Sequence, residues 1–229
     1  MRKLCRSVAL LWLAGALSPA SPKEDKPGTA RWAIKTSVPV DAKLDKPGIL
    51  LPLSDFLALA PAASHASNDF QTVLYPQVKG AKFREGQLVR TRGFMRVVAG
   101  EDDGDYHIQI SETNDTFENC LIVEVPKDDD AFVKNSPALL AAAKAVRSFV
   151  MTRITNGQDP DGRVMAIKGP AYVEVTGQLF FDSEHEAGMA KNQFRGKSIG
   201  TGANRKQLPS KTSWEIHPIT KIVFAPRPQ

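Results

Sequence analysis

Cysteine is nearly absent from this chain. Its 229 residues include only Cys5 and Cys120. If residues 1–20 are removed, as argued next, Cys120 is alone and no internal disulfide can form. Stability must then come from a packed core. The thiol is expected to be buried, because exposed thiols outside the cytoplasm oxidise. A catalytic Cys120 is disfavoured: "NCLIVEVP" reads as a core strand, and no histidine nearby in sequence is placed as its base. Long apolar runs are also missing. The one at Ser7–Leu17 is too short to cross a bilayer as a helix, and no second run follows it. Internal repeats are absent as well.

What stands at the start is a basic stretch (MRKLCR), then the apolar run SVALLWLAGAL, then small residues in "SPASP". This is the layout of a secretory signal peptide, and it predicts an exported, periplasmic or secreted protein without a transmembrane segment. Residues 1–20 carry three basic side chains and no acids. The remainder has 27 basic and 25 acidic side chains, so the formal charge falls from +5 to +2. Overall basicity is therefore no argument for a nucleic-acid partner; only local patches count.

Residues 21–82 read as a linker and packing arm. Prolines at 47, 52 and 61 restrict it to one short helical piece, Ser54–Ala60, with Ser54 as its cap. His65 falls in a Ser/Ala loop. Residues 83–225 read as one domain and 226–229 as a tail. Within the domain, 87–100 alternates as a strand, and Asp103-Gly104 marks a tight turn. Tyr106, Ile108 and Ile110 then share one face of a second strand, with His107 and Gln109 on the other. Residues 119–126 form a third strand. A helix follows from Ser136 and Pro137, with Leu139, Ala143, Val146 and Val150 on one face, ending at Asn156-Gly157. Pro170–Asp182 is a fourth strand, with Val173, Val175, Leu179 and Phe181 inward. A polar loop of some 30 residues precedes the last strand, 213–225. The order β-β-β-α-β-β is that of an OB-like five-stranded Greek-key barrel; the rival is an open β-sandwich.

Three acids stand close to histidines: Asp105 with His107, Asp182 with His185, and Glu215 with His217. Read in order, "RWAIKT", "DGDYHIQI", "LIVEVP", "VTGQLFFDSEH" and "WEIHPITKI" resemble a family of exported bacterial proteins. That family shows R-x-x-V-K-T, D-x-D-x-H, an A-E-F-P-like strand, V-T-G-x-x-F-F-D-x-x-H and I-E-L-H-P-V in the same sequence order. The similarity runs from residue 31 to residue 224. It maps the motif acids and histidines onto Asp103, Asp105, His107, Asp182, His185, Glu215 and His217. After His185 the chain departs from the pattern, with a longer basic stretch where the family has G-Q-x-G-x-A-P-N. The resemblance implies export and a shared architecture and assigns no reaction.

Several readings of the acid–histidine pairs stay open. They can be structural, with each acid satisfying a half-buried imidazole, Glu215 or Asp182 holding His217, and Pro218 ending ladder donation so that the chain turns there. They can serve a hydrolase, such as a nuclease, with histidine as general base. A metal is a third option. No cofactor is otherwise expected, and the spacing follows no known ligand cadence. His107 and His217 are expected two strand spacings apart, roughly 9–10 Å, and splayed by barrel curvature. A calcium site at Asp102, Asp103 and Asp105 lacks its closing glutamate. The loop before the last strand carries Lys191, Arg195, Lys197, Arg205, Lys206 and Lys211, with Phe194 available for stacking. With His107 and Gln109 it suggests a groove for nucleic acid or an anionic glycan. The alternative is that it neutralises the acidic "GEDDGD" turn. The leading expectation is a binding or interaction module with an unknown ligand.

Overall fold

The structure, a computed structural model, describes residues 31–38, 44, 46–62, 72–77, 79–115, 118–189 and 195–228. In chain order they form helix α1 (Trp32–Lys35), strand β1 (Ile49–Leu50), helix α2 (Leu53–Leu57) and strands β2 (Leu88–Gly100), β3 (Tyr106–Ser111) and β4 (Leu121–Val125). Helices α3 (Ala131–Lys134) and α4 (Pro137–Phe149) follow, the latter prolonged by a π-helical turn, Val150–Ile154. Then come β5 (Val164–Phe181), α5 (Ser183–Met189), β6 (Gly196–Ile199), β7 (Lys206–Pro209) and β8 (Trp214–Phe224).

Five strands in the order β2-β3-β4-β8-β5 close into a barrel, because β5 pairs with both β8 and β2. All these pairings are antiparallel except β4 with β8, which is parallel at Val123↔Ile216. With α4 between the third and fourth barrel strands, this is the OB-like barrel expected from the sequence. Closure removes the open edges of a five-stranded sheet. The period-2 apolar sets fill the interior: Ile108 and Ile110 from β3, Val123 and Val125 from β4, Val173, Val175 and Leu179 from β5, and Ile216 and Ile219 from β8. Each such side chain contributes about 1.5–3 kcal/mol on burial. Leu139, Ala143, Val146 and Val150 of the helical segment join the same core. Asn156 and Gly157 end that segment at φ 55° and 81°, as a C-terminal left-handed cap requires.

Four details differ from expectation. The short helix starts at Leu53, with Pro52 and not Ser54 at its cap position. Strand β5 begins at Val164, six residues early, because its first part pairs with the far half of β2 beyond a bulge between Met95 and Val97. The polar loop before β8 contains α5 and a hairpin, β6–β7, held down by Leu208 and Ile199 packing on Val97 and Cys120. Pro218 does not turn the chain: β8 continues to Phe224, and Pro218 sits at a register irregularity against β5, where a missing N–H is tolerated. There the strands approach so closely that a Cβ on Gly177 would lie 2.3 Å from the Pro218 carbonyl oxygen.

Candidate acid–histidine site

The strand registers line up three polar side chains in one row on the outer face of the barrel. His107 of β3 stands opposite Glu124 of β4. The pairing Val123↔Ile216 then puts Glu124 level with His217 of β8. Glu124 bridges the two imidazoles: its Oε1 is 2.7 Å from His107 Nδ1 and its Oε2 is 3.1 Å from His217 Nδ1. The expected splaying of His107 from His217 is thus corrected, because the intervening strand supplies a carboxylate that reaches both. The local pairing of Asp105 with His107 is corrected too. Asp105 precedes β3, and its Oδ2 lies 3.1 Å from His217 Nε2, while Glu101 Oε1 is 3.2 Å from His107 Nδ1. His217 is fully buried, with the Phe180 ring edge-on to it at 5.7 Å. Glu215 approaches His217 only to 3.7 Å. Asp182 is not its partner.

Asp182 does hold His185, as the sequence suggested, with Oδ2 to Nδ1 at 2.5 Å. The i,i+3 spacing across the start of α5 brings them together. The acid is buried, whereas the histidine side chain is 57% exposed. Arg195 joins this pair to the rest of the site. It is 3% exposed and binds Glu215 and the Thr212 carbonyl, with Asp182 Oδ2 at 3.5 Å. Arg195 was expected to be a solvated loop cation available to a ligand; it is instead a buried clamp between two carboxylates. From the other side α1 covers Phe180 and carries Lys35, 8% exposed, into the field of Glu124, Asp182, Glu215 and Asp105.

These groups surround a pocket of about 270 Å³. Its walls include Glu101, Asp102, Asp103, His107, Glu124, Asp182, His185, Arg195, Lys197 and Glu215. A larger hollow of about 510 Å³ beside Trp214 contains no histidine or cysteine. The hairpin seats itself on β3 by using up Gln109, whose amide donates to the Leu208 carbonyl (2.8 Å) and accepts from the Lys197 N–H (2.7 Å). Gln109 is fully buried and not open to a ligand. The barrel face expected to form a groove is therefore covered by the chain's own hairpin. Lys197 pairs with Glu101 at 2.6 Å. Arg205, Lys206 and Lys211 are exposed and do not line the pocket. Lys191 and Phe194 lie outside the described residues, as do His65 and residues 1–20. At the proposed calcium turn Asp105 faces His217, and the Asp103 side chain accepts the Asp105 N–H, so these acids do not form one oxygen cage.

The electrostatics divide the acids into two groups. Burial opposes ionisation of Asp182 and Glu124, yet hydrogen bonds from the histidines hold both below the usual carboxylate range. Burial raises Asp103 to about 7, helped by the Asp105 charge, and raises Glu215, helped by Glu124. His107 is raised to about 9: burial works against its charge, but Glu101 and Glu124 overcome it. Lys35 likewise stays charged despite burial, because four carboxylates surround it. Burial pushes the Cys120 thiol up to about 11, so no thiolate forms near neutrality.

These shifts predict a stability profile. Glu124 and Asp182, depressed in the folded state, stabilise above their ordinary values of 4.5 and 3.8 and lose that contribution as pH falls through the folded values. His107 contributes fully below 6.5 and loses its contribution as pH rises through about 9. Asp103 and Glu215, both raised, also disfavour the fold as pH rises. The melting temperature is expected to peak between about 4.5 and 6.5 and fall on both sides. A thermal scan still rising above the ordinary histidine value would contradict this network.

The sequence reading missed Glu124, Glu101 and Lys35. Glu124 had a signal: it is the one acid inside the apolar alternation LIVEV. Lys35 had only its place in the R-x-x-V-K-T motif, because its partners depend on where α1 docks. No protein-family model and no curated protein matches the chain.

Proposed function

We propose that the chain is an exported hydrolase that uses Asp182 and His185 as an acid–base pair, with phosphodiesters, nucleic acid among them, as its substrate class. The observation that carries this reading is the convergence of Asp182–His185 and Glu101–His107–Glu124 on one open pocket. Asp182 engages Nδ1 of His185 and leaves Nε2 on the exposed edge of the ring. The hydrogen bond from Asp182 raises the histidine above its ordinary 6.5. In the imidazolium form, Nε2 protonates the leaving oxygen as water adds to phosphorus and the P–O bond breaks; the proton released by the water passes to solvent, and Nε2 takes one back from solvent to restore the imidazolium. Such proton transfer contributes about 10²–10⁴-fold. Phosphodiester as a substrate is supported by the exposed Arg205, Lys206 and Lys211 on and beside the hairpin whose Lys197 lines the pocket.

The test compares wild type with His185→Gln on bis(p-nitrophenyl) phosphate and on single-stranded DNA. Hydrolysis should fall about 10²-fold while the chain still folds, since His185 is mostly exposed; the loss of its hydrogen bond to Asp182 should lower the melting temperature only modestly. A wild type without turnover, or a variant that retains it, would overturn the proposal.

A binding module remains the second reading, favoured by the same exposed cations. Replacing Arg205 and Lys206 with Ala should then weaken binding to single-stranded DNA and lower the slope of log K against log salt by about one to two. Export is proposed on the basic–apolar–small start of the chain. N-terminal sequencing of the exported protein should begin near Ser21, and an intact Met1 would contradict it. Among the described residues no helix is long and apolar enough to cross a membrane.

A further inference from the structure

Among the described residues, six buried side-chain polar atoms lack a hydrogen-bond partner, and five of them are at this site. They are His107 Nε2, Arg195 Nε, Glu215 Oε2 and both ring nitrogens of His217. The carboxylates 3.1 Å from the His217 nitrogens are near enough for ion pairing but not aligned as hydrogen-bond acceptors. Buried polar atoms are nearly always satisfied in folded proteins. Three of the five, on His107, Arg195 and Glu215, belong to side chains that line the pocket, which favours a polar ligand there.

One wall of the pocket has the right donors for a cation. Glu101 Oε1 and Glu124 Oε1 lie 3.2 and 2.7 Å from His107 Nδ1. Each of the three residues offers a ligand atom within 4.8 Å of those of the other two. A tetrahedral ion with bonds of about 2.0–2.1 Å spaces its ligand atoms about 3.3 Å apart, a spacing that the two histidine–carboxylate contacts approach. We infer that Glu101, His107 and Glu124 bind one divalent transition-metal ion of the zinc class, with its remaining position open to the pocket.

The donor chemistry sets the metal class. Imidazole nitrogen with carboxylate oxygen suits zinc and its neighbours, whereas calcium takes six to eight oxygens. Three protein ligands and one open position is the pattern of catalytic, not structural, zinc sites. The neighbouring group Asp105–Glu124–His217 also satisfies the spacing. It is closed, however: His217 is fully buried, and its role is to orient Glu124 through Oε2. Lys197 Nζ holds the same Glu101 oxygen that the ion would take, at 2.6 Å. The lysine and the ion therefore compete. The role of the ion in hydrolysis rests on the function proposed above; its binding does not.

The experiment titrates the full chain, freed of metal by chelator, with zinc by calorimetry and with cobalt(II) by visible absorption. The expected result is one ion per chain and a low-coordinate cobalt spectrum. Glu101→Gln, at a side chain only partly buried, should fold normally and bind about tenfold more weakly or worse. His107→Ala should abolish binding. Lys197→Ala should tighten it, because the lysine no longer competes for the Glu101 oxygen. His185→Gln should bind as wild type. No binding by wild type, or unchanged binding in both Glu101→Gln and Lys197→Ala, would overturn the inference. Phosphodiester hydrolysis that persists in chelator would overturn the ion's role and leave the Asp182–His185 proposal standing. Metal binding without hydrolysis would overturn the Asp182–His185 proposal and leave the ion's binding standing.

Discussion

Glu124→Ala is expected to cost about 3–5 kcal/mol of stability, as removal of one partner from a buried charge network does. Glu124 is 9% exposed and stands between two buried imidazoles, at 2.7 and 3.1 Å. Both histidines are raised above their ordinary value partly by this carboxylate, and it also contributes to keeping Lys35 charged. Without Glu124, His107 retains Glu101 and His217 retains Asp105, but positive charge is left under-compensated in a site with little solvent. The histidines must then release protons or the site must open. Urea denaturation near neutral pH measures the loss. The alkaline decline in stability should also flatten, because His107 no longer titrates so high. His217→Ala, which removes one ring and leaves Glu124 paired with His107, should cost less, about 1–3 kcal/mol. Equal stability of wild type and Glu124→Ala would show that the row does not hold the barrel together.

Arg31→Ala should produce a loss of similar size by a different route. Arg31 is 1% exposed and forms a two-pronged pair with Glu85, at 2.5 and 2.9 Å. It also donates to the carbonyls of Phe181 and Val73, and its guanidinium lies 4.6 Å from the Tyr75 ring centre. Glu85 in turn accepts the N–H groups of Tyr75 and Phe181. One residue thus ties α1, residues 73–75 and the end of β5 together, directly beside the Asp182 that follows β5. Its removal strands the Glu85 carboxylate in the interior, which costs about 3–5 kcal/mol. Arg31→Lys keeps the charge but not the fork and should recover only part. Combining Arg31→Ala with Glu85→Gln should be less damaging than Arg31→Ala alone, because the buried charge goes as well. A double variant as unstable as the sum of the single losses would mean that the two side chains act independently.

Both predictions turn on residues whose types are plain in the sequence and whose partners are not. The barrel was legible because period-2 alternation is local: Tyr106, Ile108 and Ile110, or Val173 and Val175, can bury together only if their segments are strands. The helix was legible from Pro137, its apolar face and Asn156-Gly157. The same local logic found Asp182–His185, because three residues at the start of a helix bring an acid and an imidazole together. It failed for Asp105 and Glu215, whose nearest histidines in sequence are not their chief partners in space.

By itself, then, the sequence determined the strands, the helix between them, which face of each strand goes inward, and one acid–histidine pair. Tertiary structure alone decided that Glu124 joins His107 to His217, that Asp105 serves His217, that Arg195 is buried between Asp182 and Glu215, and that a hairpin covers the expected groove. The physical reason is register. Alternation says which side of a strand a residue occupies, whereas its neighbour across the strand depends on how the barrel closes. Barrel closure is set by the summed fit of the whole core, and no short stretch of sequence contains that sum.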